Sequence, residues 1–133
     1  MKVLVDTSVW SLALRRKDTK EDSVIIHKLS QLIMDSMVVM IGPIRQEILS
    51  GISQEETFMS LKTKLEPYED IKICSNDYET AAEFNNTCRR NGVQGSHTDF
   101  LICAVAHNYD LLIFTTDDDF ANYAKFLPIN LLN

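Results

Sequence analysis

Short apolar runs recur along the chain with helical patterns between them, and this alternation limits the fold more than any other feature. KVLVD (2–6), MVVMI (37–41), IKIC (71–74), LLIFT (111–115) and the weaker PIN (128–130) read as strands. Runs that are apolar at consecutive positions suit strands covered on both faces, as in a parallel sheet. Between them, Ile25, Leu29, Leu32 and Ile33 recur at i, i+4, i+7 and i+8, the stripe of an amphipathic helix. Gly42-Pro43 ends the second run, and Pro43 suits the first position of a helix through IRQEILSG that Gly51 closes. Phe58, Leu61 and Leu65 form another helical stripe that stops before Pro67. Asn76 with Glu79 has the form of a capping box, opening a helix that runs to Asn91-Gly92. TDFLICAVAHN (98–108), with Thr98 as N-cap, is apolar nearly all round and predicts a buried helix. Strands and helices alternating in this way predict a three-layer α/β/α domain around a parallel sheet of four to five strands.

At 133 residues the chain is long enough for one core, and no Pro/Gly/Ser-rich linker divides it, so residues 1–133 are expected to form one domain. The formal charge of −6 argues against non-specific nucleic-acid binding through a basic face. Acids that hold metal remain compatible with that charge. Cys74, Cys88 and Cys103 are odd in number and widely spaced, which fits neither a disulfide framework nor a zinc knuckle; all three are expected as reduced core thiols. The opening apolar run is cut at Asp6, too early for a signal-peptide core, and no stretch approaches a membrane span. A cytoplasmic protein without a membrane partner is expected.

The acids gather where ligands usually bind. In open parallel sheets that place is the crevice beyond the carboxyl ends of the strands. Asp6 ends the first predicted strand, and Asp117, Asp118 and Asp119 follow the fourth. Glu47 lies one turn into the helix after the second strand, and Asp99 opens the buried helix. Singly, each has a plain explanation: a turn cap at Asp6, an exposed helical Glu47, a dipole-complementing acid at Asp99. Together, four segments each bring an acid to one sheet edge. Converging carboxylates repel unless they are protonated or bridged by cations. Oxygen donors without a Cys/His cluster favour Mg²⁺ or Mn²⁺ over zinc.

VDTSVW, PIRQEILSG (43–51), DFLICAVA (99–106) and TTDDDF (115–120) together resemble the four signatures of PIN-domain ribonucleases, in the family's order and over essentially the whole chain. The length resembles the VapC-type toxins of prokaryotic toxin–antitoxin pairs. The resemblance implies an acidic metal-binding and catalytic quartet of Asp6, Glu47, Asp99 and Asp117. Asp117 is preferred because T-x-D-x-D-F in this family usually gives its first Asp to the site. Asp118 departs from the pattern, and Asp119 is a further candidate. Ser8 corresponds to the small hydroxyl residue that orients the first Asp.

The chemistry implied is endonucleolytic cleavage of RNA by water that bound Mg²⁺ or Mn²⁺ activates, leaving 5′-phosphate and 3′-hydroxyl ends. A cognate antitoxin and a homodimer are the expected partners, and tRNA or ribosomal RNA the expected kind of substrate. Arg15, Arg16, Lys17 and Lys20 form the best basic cluster for RNA, with Arg89-Arg90 second. His27 and His107 read as surface or boundary residues, whereas His97 is close enough in sequence to Asp99 to approach the site. Cys103 reads as packing. Two other classes compete: a haloacid-dehalogenase-like phosphatase, disfavoured because Ser8 stands where a second Asp is needed, and a PIN-like module that binds RNA or a partner without cutting. A housekeeping RNA-processing nuclease is the alternative within the enzyme class.

Overall fold

The structure is a computed structural model and describes residues 1–14 and 20–132. Its elements follow the order β1 (Val3–Val5), α1 (Thr7–Leu14), α2 (Lys20–Met34), β2 (Val38–Val39), α3 (Gly42–Leu49), α4 (Glu55–Leu65), α5 (Ser75–Arg90), α6 (His97–Asn108), β3 (Leu112–Phe114), α7 (Asp119–Ala124) and β4 (Asn130–Leu131). The strands form one parallel sheet in the order β2-β1-β3-β4. β1 sits inside it, with Leu4 opposite Val39 on one side and Ile113 on the other. Successive strand residues face opposite sides of a sheet, and Val3, Leu4 and Val5 are all buried, so both faces are covered. The α/β architecture with a central four-stranded parallel sheet is therefore the one the alternation predicts.

Several local expectations need correction. IKIC is not a strand. Past the isolated bridge between Met40 and Asp70, only Ile71 N–H reaches back, to the Met40 carbonyl. Ile71 and Ile73 still pack on the core, so the segment keeps the alternation of a strand without a ladder. The neighbour it needs has already turned into α3. The capping box of α5 also lies two residues earlier than Asn76/Glu79: Cys74 is the N-cap and Asp77 the reciprocal acid, accepting from the Cys74 N–H at 3.0 Å. Helix α6 likewise begins sooner, with Ser96 as N-cap in place of Thr98. Cys88 and Cys103 are buried thiols as expected, but Cys74, at a helix mouth, is exposed. No helix among the described residues is long and apolar enough to cross a membrane.

The helix ends follow the sequence more closely. Pro43 lies in the first turn of α3, and Gly51, at φ +83°, takes the left-handed turn beyond it. α6 is buried continuously from Phe100 to Ala106, which explains why its sequence lacks a polar face. It packs chiefly against α5, and Asp99 lies in its first turn.

Candidate metal centre at the sheet edge

The strand order creates the crevice. From β1 the chain moves to β2 on one side, and later returns to place β3 on the other, so the connections leaving β1 and β3 part company at their carboxyl ends. Asp6 continues the ladder, donating its N–H to the Phe114 carbonyl at 2.9 Å, before its own carbonyl starts α1 by accepting from Val9 N–H. Its side chain is therefore fixed between the two strands and only 6% exposed.

Two hydroxyls hold that carboxylate. Ser8 Oγ and Thr115 Oγ1 both donate to Asp6 Oδ2 at 2.8 Å. Ser8 Oγ accepts from Thr116 N–H at 3.1 Å, and Thr115 Oγ1 accepts from Asp117 N–H at 3.0 Å. The network ties the end of β1 to the loop after β3, and sets Asp117 relative to Asp6. Asp117 Oδ1 in turn accepts from Asp119 N–H at 2.9 Å, shaping the turn into α7.

Asp99 comes from the first turn of α6, where its N–H caps onto Ser96 Oγ. The fully buried Tyr123 donates its hydroxyl to Asp99 Oδ2 at 2.7 Å. Phe100 and Phe120 hold the phenol at centroid distances of 5.0 and 5.2 Å. Glu47 reaches in from α3 and accepts from Thr7 Oγ1 at 3.2 Å.

Carboxylate oxygens of Asp99, Asp117 and Asp119 lie within 4.8 Å of one another. Asp6 and Glu47 stand outside this tightest triplet, but their charges are felt in the same space. Burial raises the Glu47 carboxyl above its ordinary range; the Thr7 hydroxyl opposes this, while Asp6 and Asp99 push further upward. Burial likewise raises Asp99, opposed by the Tyr123 hydroxyl and reinforced by Asp6 and Asp117. Five acids from four segments thus share one pocket of negative potential. Asp119 belongs to it geometrically as closely as Asp117 does; Asp118 is the exposed N-cap position of α7.

The other candidates lie elsewhere. Arg15, Arg16 and Lys17 fall outside the described residues, and Lys20 is an exposed residue opening α2. Arg89 and Arg90 are exposed at the end of α5. His97 opens α6 but faces a neighbouring cavity with Tyr78 and Asn85. His27 is exposed, and His107 rests on the Phe84 ring. Sequence reasoning missed Thr7, Thr115 and Tyr123. Thr115 carried a signal, a hydroxyl residue ending an apolar strand; Tyr123 carried none, since in NYAKF it reads as ordinary core.

A parallel α/β domain with a carboxylate-lined crevice at its topological switch point is the class that this geometry defines. A PIN domain family model matches residues 3–126, and the chain belongs to that family. Solved structures of similar fold include FitAcB from Neisseria gonorrhoeae, at 19% identity and TM-score 0.78 over 98% of this chain and 96% of that one. VapBC2 from Rickettsia felis, bound to a DNA fragment from its promoter, matches at 17% identity and TM-score 0.76 over 100% and 98%. VapBC-5 from Mycobacterium tuberculosis, a member of the VapBC family of toxin-antitoxin systems, matches at 16% and 0.71 over 100% and 99%. A search of curated protein sequences gives no significant match.

Proposed function

We propose that the protein is a Mg²⁺- or Mn²⁺-dependent endoribonuclease and the toxin of a type II toxin–antitoxin pair. The observation that carries the nuclease reading is the convergence of Asp6, Glu47, Asp99, Asp117 and Asp119 on one crevice, with two of their carboxyls raised by burial and mutual repulsion. The donor set is all oxygen, and its closest members are spaced for a shared cation, which suits a hard divalent ion. Asp99, Asp117 and Asp119 would hold it, with Asp6 and Glu47 completing the site. A bound divalent ion would supply a Lewis acid for the phosphate and a more acidic water.

The chain itself does the positioning. Ser8 and Thr115 restrain Asp6, Thr7 restrains Glu47, and Tyr123 fixes the rotation of Asp99. Such hydrogen bonds hold ligands in place before the cation arrives, which reduces the reorganisation that binding requires. Bound dications would also reverse the local field, so an RNA phosphate could enter a pocket whose charged groups, among the described residues, are acidic. The products expected are 5′-phosphate and 3′-hydroxyl ends, because among the described residues no His or Lys pair stands at the crevice to favour attack by the substrate's 2′-hydroxyl.

The toxin reading leans on relatives. VapBC-5 is a member of a toxin–antitoxin family, and this chain matches that fold over its full length. A cognate antitoxin that covers the crevice, a homodimer of single-domain chains and a cytoplasmic site of action belong to the same proposal. Arg15, Arg16, Lys17 and Lys20 remain its candidates for tracking RNA. The test combines end-mapping of cellular RNA after induction with assays of purified protein. Cleavage should cease in EDTA, return with Mn²⁺ and be absent in Asp99→Asn, while growth arrest on expression should be relieved by the neighbouring small gene. Cutting that persists in EDTA, or cyclic phosphate ends, would remove the metal-nuclease reading. Cleavage without growth arrest would favour an RNA-processing enzyme.

A further inference from the structure

A cavity of about 430 Å³ opens between α3, α5 and α6, beside the acidic crevice. Gln46, Tyr78, Asn85, Asn86, His97 and Thr98 supply its polar groups, Phe100 lies in its wall, and among the described residues no Asp, Glu, Lys or Arg lines it. It shares Pro43, Gln46 and Thr98 with an adjoining cavity of about 400 Å³ that contains Thr7 and Glu47. On its other side it shares Asn85 and His97 with a cavity of about 280 Å³ that contains Arg89. Along this surface the order is the Glu47 carboxylate, then a cavity lined by neutral amides, a phenol and an imidazole, then the Arg89 guanidinium.

We propose that the uncharged cavity is a nucleobase subsite for single-stranded RNA, next to the phosphate held at the carboxylates. The proposal rests on the nuclease reading and adds where the substrate's base goes. A nucleobase is planar and uncharged, with donors and acceptors along one edge. Amide side chains carry both kinds of group and pair with such edges. Tyr78, 56% exposed on α5, offers a ring on which a base can stack. The side chains of Gln46, Tyr78 and His97 make no hydrogen bond among the described residues, so their groups are available to a ligand. The volume falls in the usual range for small-molecule sites, roughly 300–1,000 Å³. Charge favours the same occupant. On a chain of net charge −6, an uncharged route lets a polyanion leave the metal without crossing further acids, and Arg89 stands where a following phosphate would be neutralised.

Amide-resolved NMR titration of the metal-free full-length protein with the four nucleoside 5′-monophosphates tests this directly, with ribose 5-phosphate as the control. Nucleotides should shift Gln46, Ala81 and Asn85, ribose 5-phosphate should not, and Tyr78→Ala should weaken the response about fivefold or more. An equal response to ribose 5-phosphate, or no response at these residues, overturns the subsite. Sedimentation supplies a second readout: a dimer that Tyr78→Ala converts to monomer would assign the cavity to an interface between copies. Because binding is measured without cleavage, the two readings fail separately. Base-dependent shifts in a protein that cuts no RNA would sink the nuclease and keep the subsite. RNA cutting with the same base preference in wild type and in Tyr78→Ala and Asn85→Ala would do the reverse.

Discussion

A methyl group on Gly95 would stand 2.4 Å from the Tyr123 hydroxyl, the same hydroxyl that donates to Asp99. The backbone of the loop before α6 therefore forms one wall around a buried phenol, and the phenol in turn sets an acid of the crevice. Gly95→Ala should destabilise the protein by about 1–3 kcal/mol, because the ring is held by Phe100 and Phe120 and cannot retreat freely. Tyr123→Phe keeps the ring and removes only the donor. It should lower Mn²⁺ affinity roughly tenfold, measured by calorimetric titration, with the fold retained by circular dichroism. Unchanged Mn²⁺ affinity would reduce the hydrogen bond to a packing detail.

Protons and metal should compete at the same residues. Asp99 and Glu47 both have carboxyls raised in the folded chain, so folding favours their protonated forms. Their stabilising effect is complete below the unfolded carboxyl range and is lost as pH rises through the raised values. In EDTA the melting temperature should therefore be higher near pH 5 than near pH 7.5, and Asp99→Asn should flatten the difference. A profile identical in that variant would show that these acids are not the source.

Among the elements, α5 shows how a start signal can mislead. Asn76/Glu79 has the residue types of a capping box, but Cys74 and Asp77 occupy it because Asp77 is also needed elsewhere. Its Oδ1 accepts from Asn108 Nδ2 at 2.8 Å, joining the start of α5 to the end of α6. Burial pushes the Asp77 carboxyl up, but the bonds from Asn108 and from the Cys74 N–H and thiol more than offset this and leave it low. That contribution is present above the ordinary carboxyl range and is lost as pH falls through the lowered value. Asp77→Ala should destabilise by about 2 kcal/mol, through the lost cap and the stranded Asn108, as read by urea denaturation. Periodicity placed α5 correctly, yet the choice of cap depended on a residue 31 positions away. IKIC failed for a related reason: alternation says which side chains turn inward, not whether a neighbouring backbone is free to pair. Asp6, Asp99 and Asp117 were legible because each ends, opens or follows a strongly apolar segment, and Glu47 because it lies one turn into the helix that leaves the second strand. Tyr123 was not, since its hydroxyl matters only through a tertiary contact with α6.

For the whole molecule, a formal charge of −6 with five acids in one crevice means that the divalent ion proposed for the site would act as a folding ligand as well as a cofactor. At a concentration about a hundredfold above its dissociation constant, Mn²⁺ should add about 2.7 kcal/mol of stability. Differential scanning calorimetry with and without EDTA measures this. A transition that Mn²⁺ does not move would argue against a preformed site. The excess should also disappear in an Asp99→Asn, Asp117→Asn double variant.

The hydrogen bond from Thr115 to Asp6 spans 109 residues of sequence. During synthesis, the first strand leaves the ribosome with nothing on the β3 side to pair with, and its carboxylate has no Thr115, Asp117 or Asp119 beside it. Those neighbours lie more than a hundred residues further along the chain, so a nascent chain that has not reached Thr115 lacks the assembled crevice. Long-range pairing of this kind is also slow to form compared with local helices. Assembly of the crevice therefore waits on contacts between distant parts of the sequence, and it should be among the later events of folding.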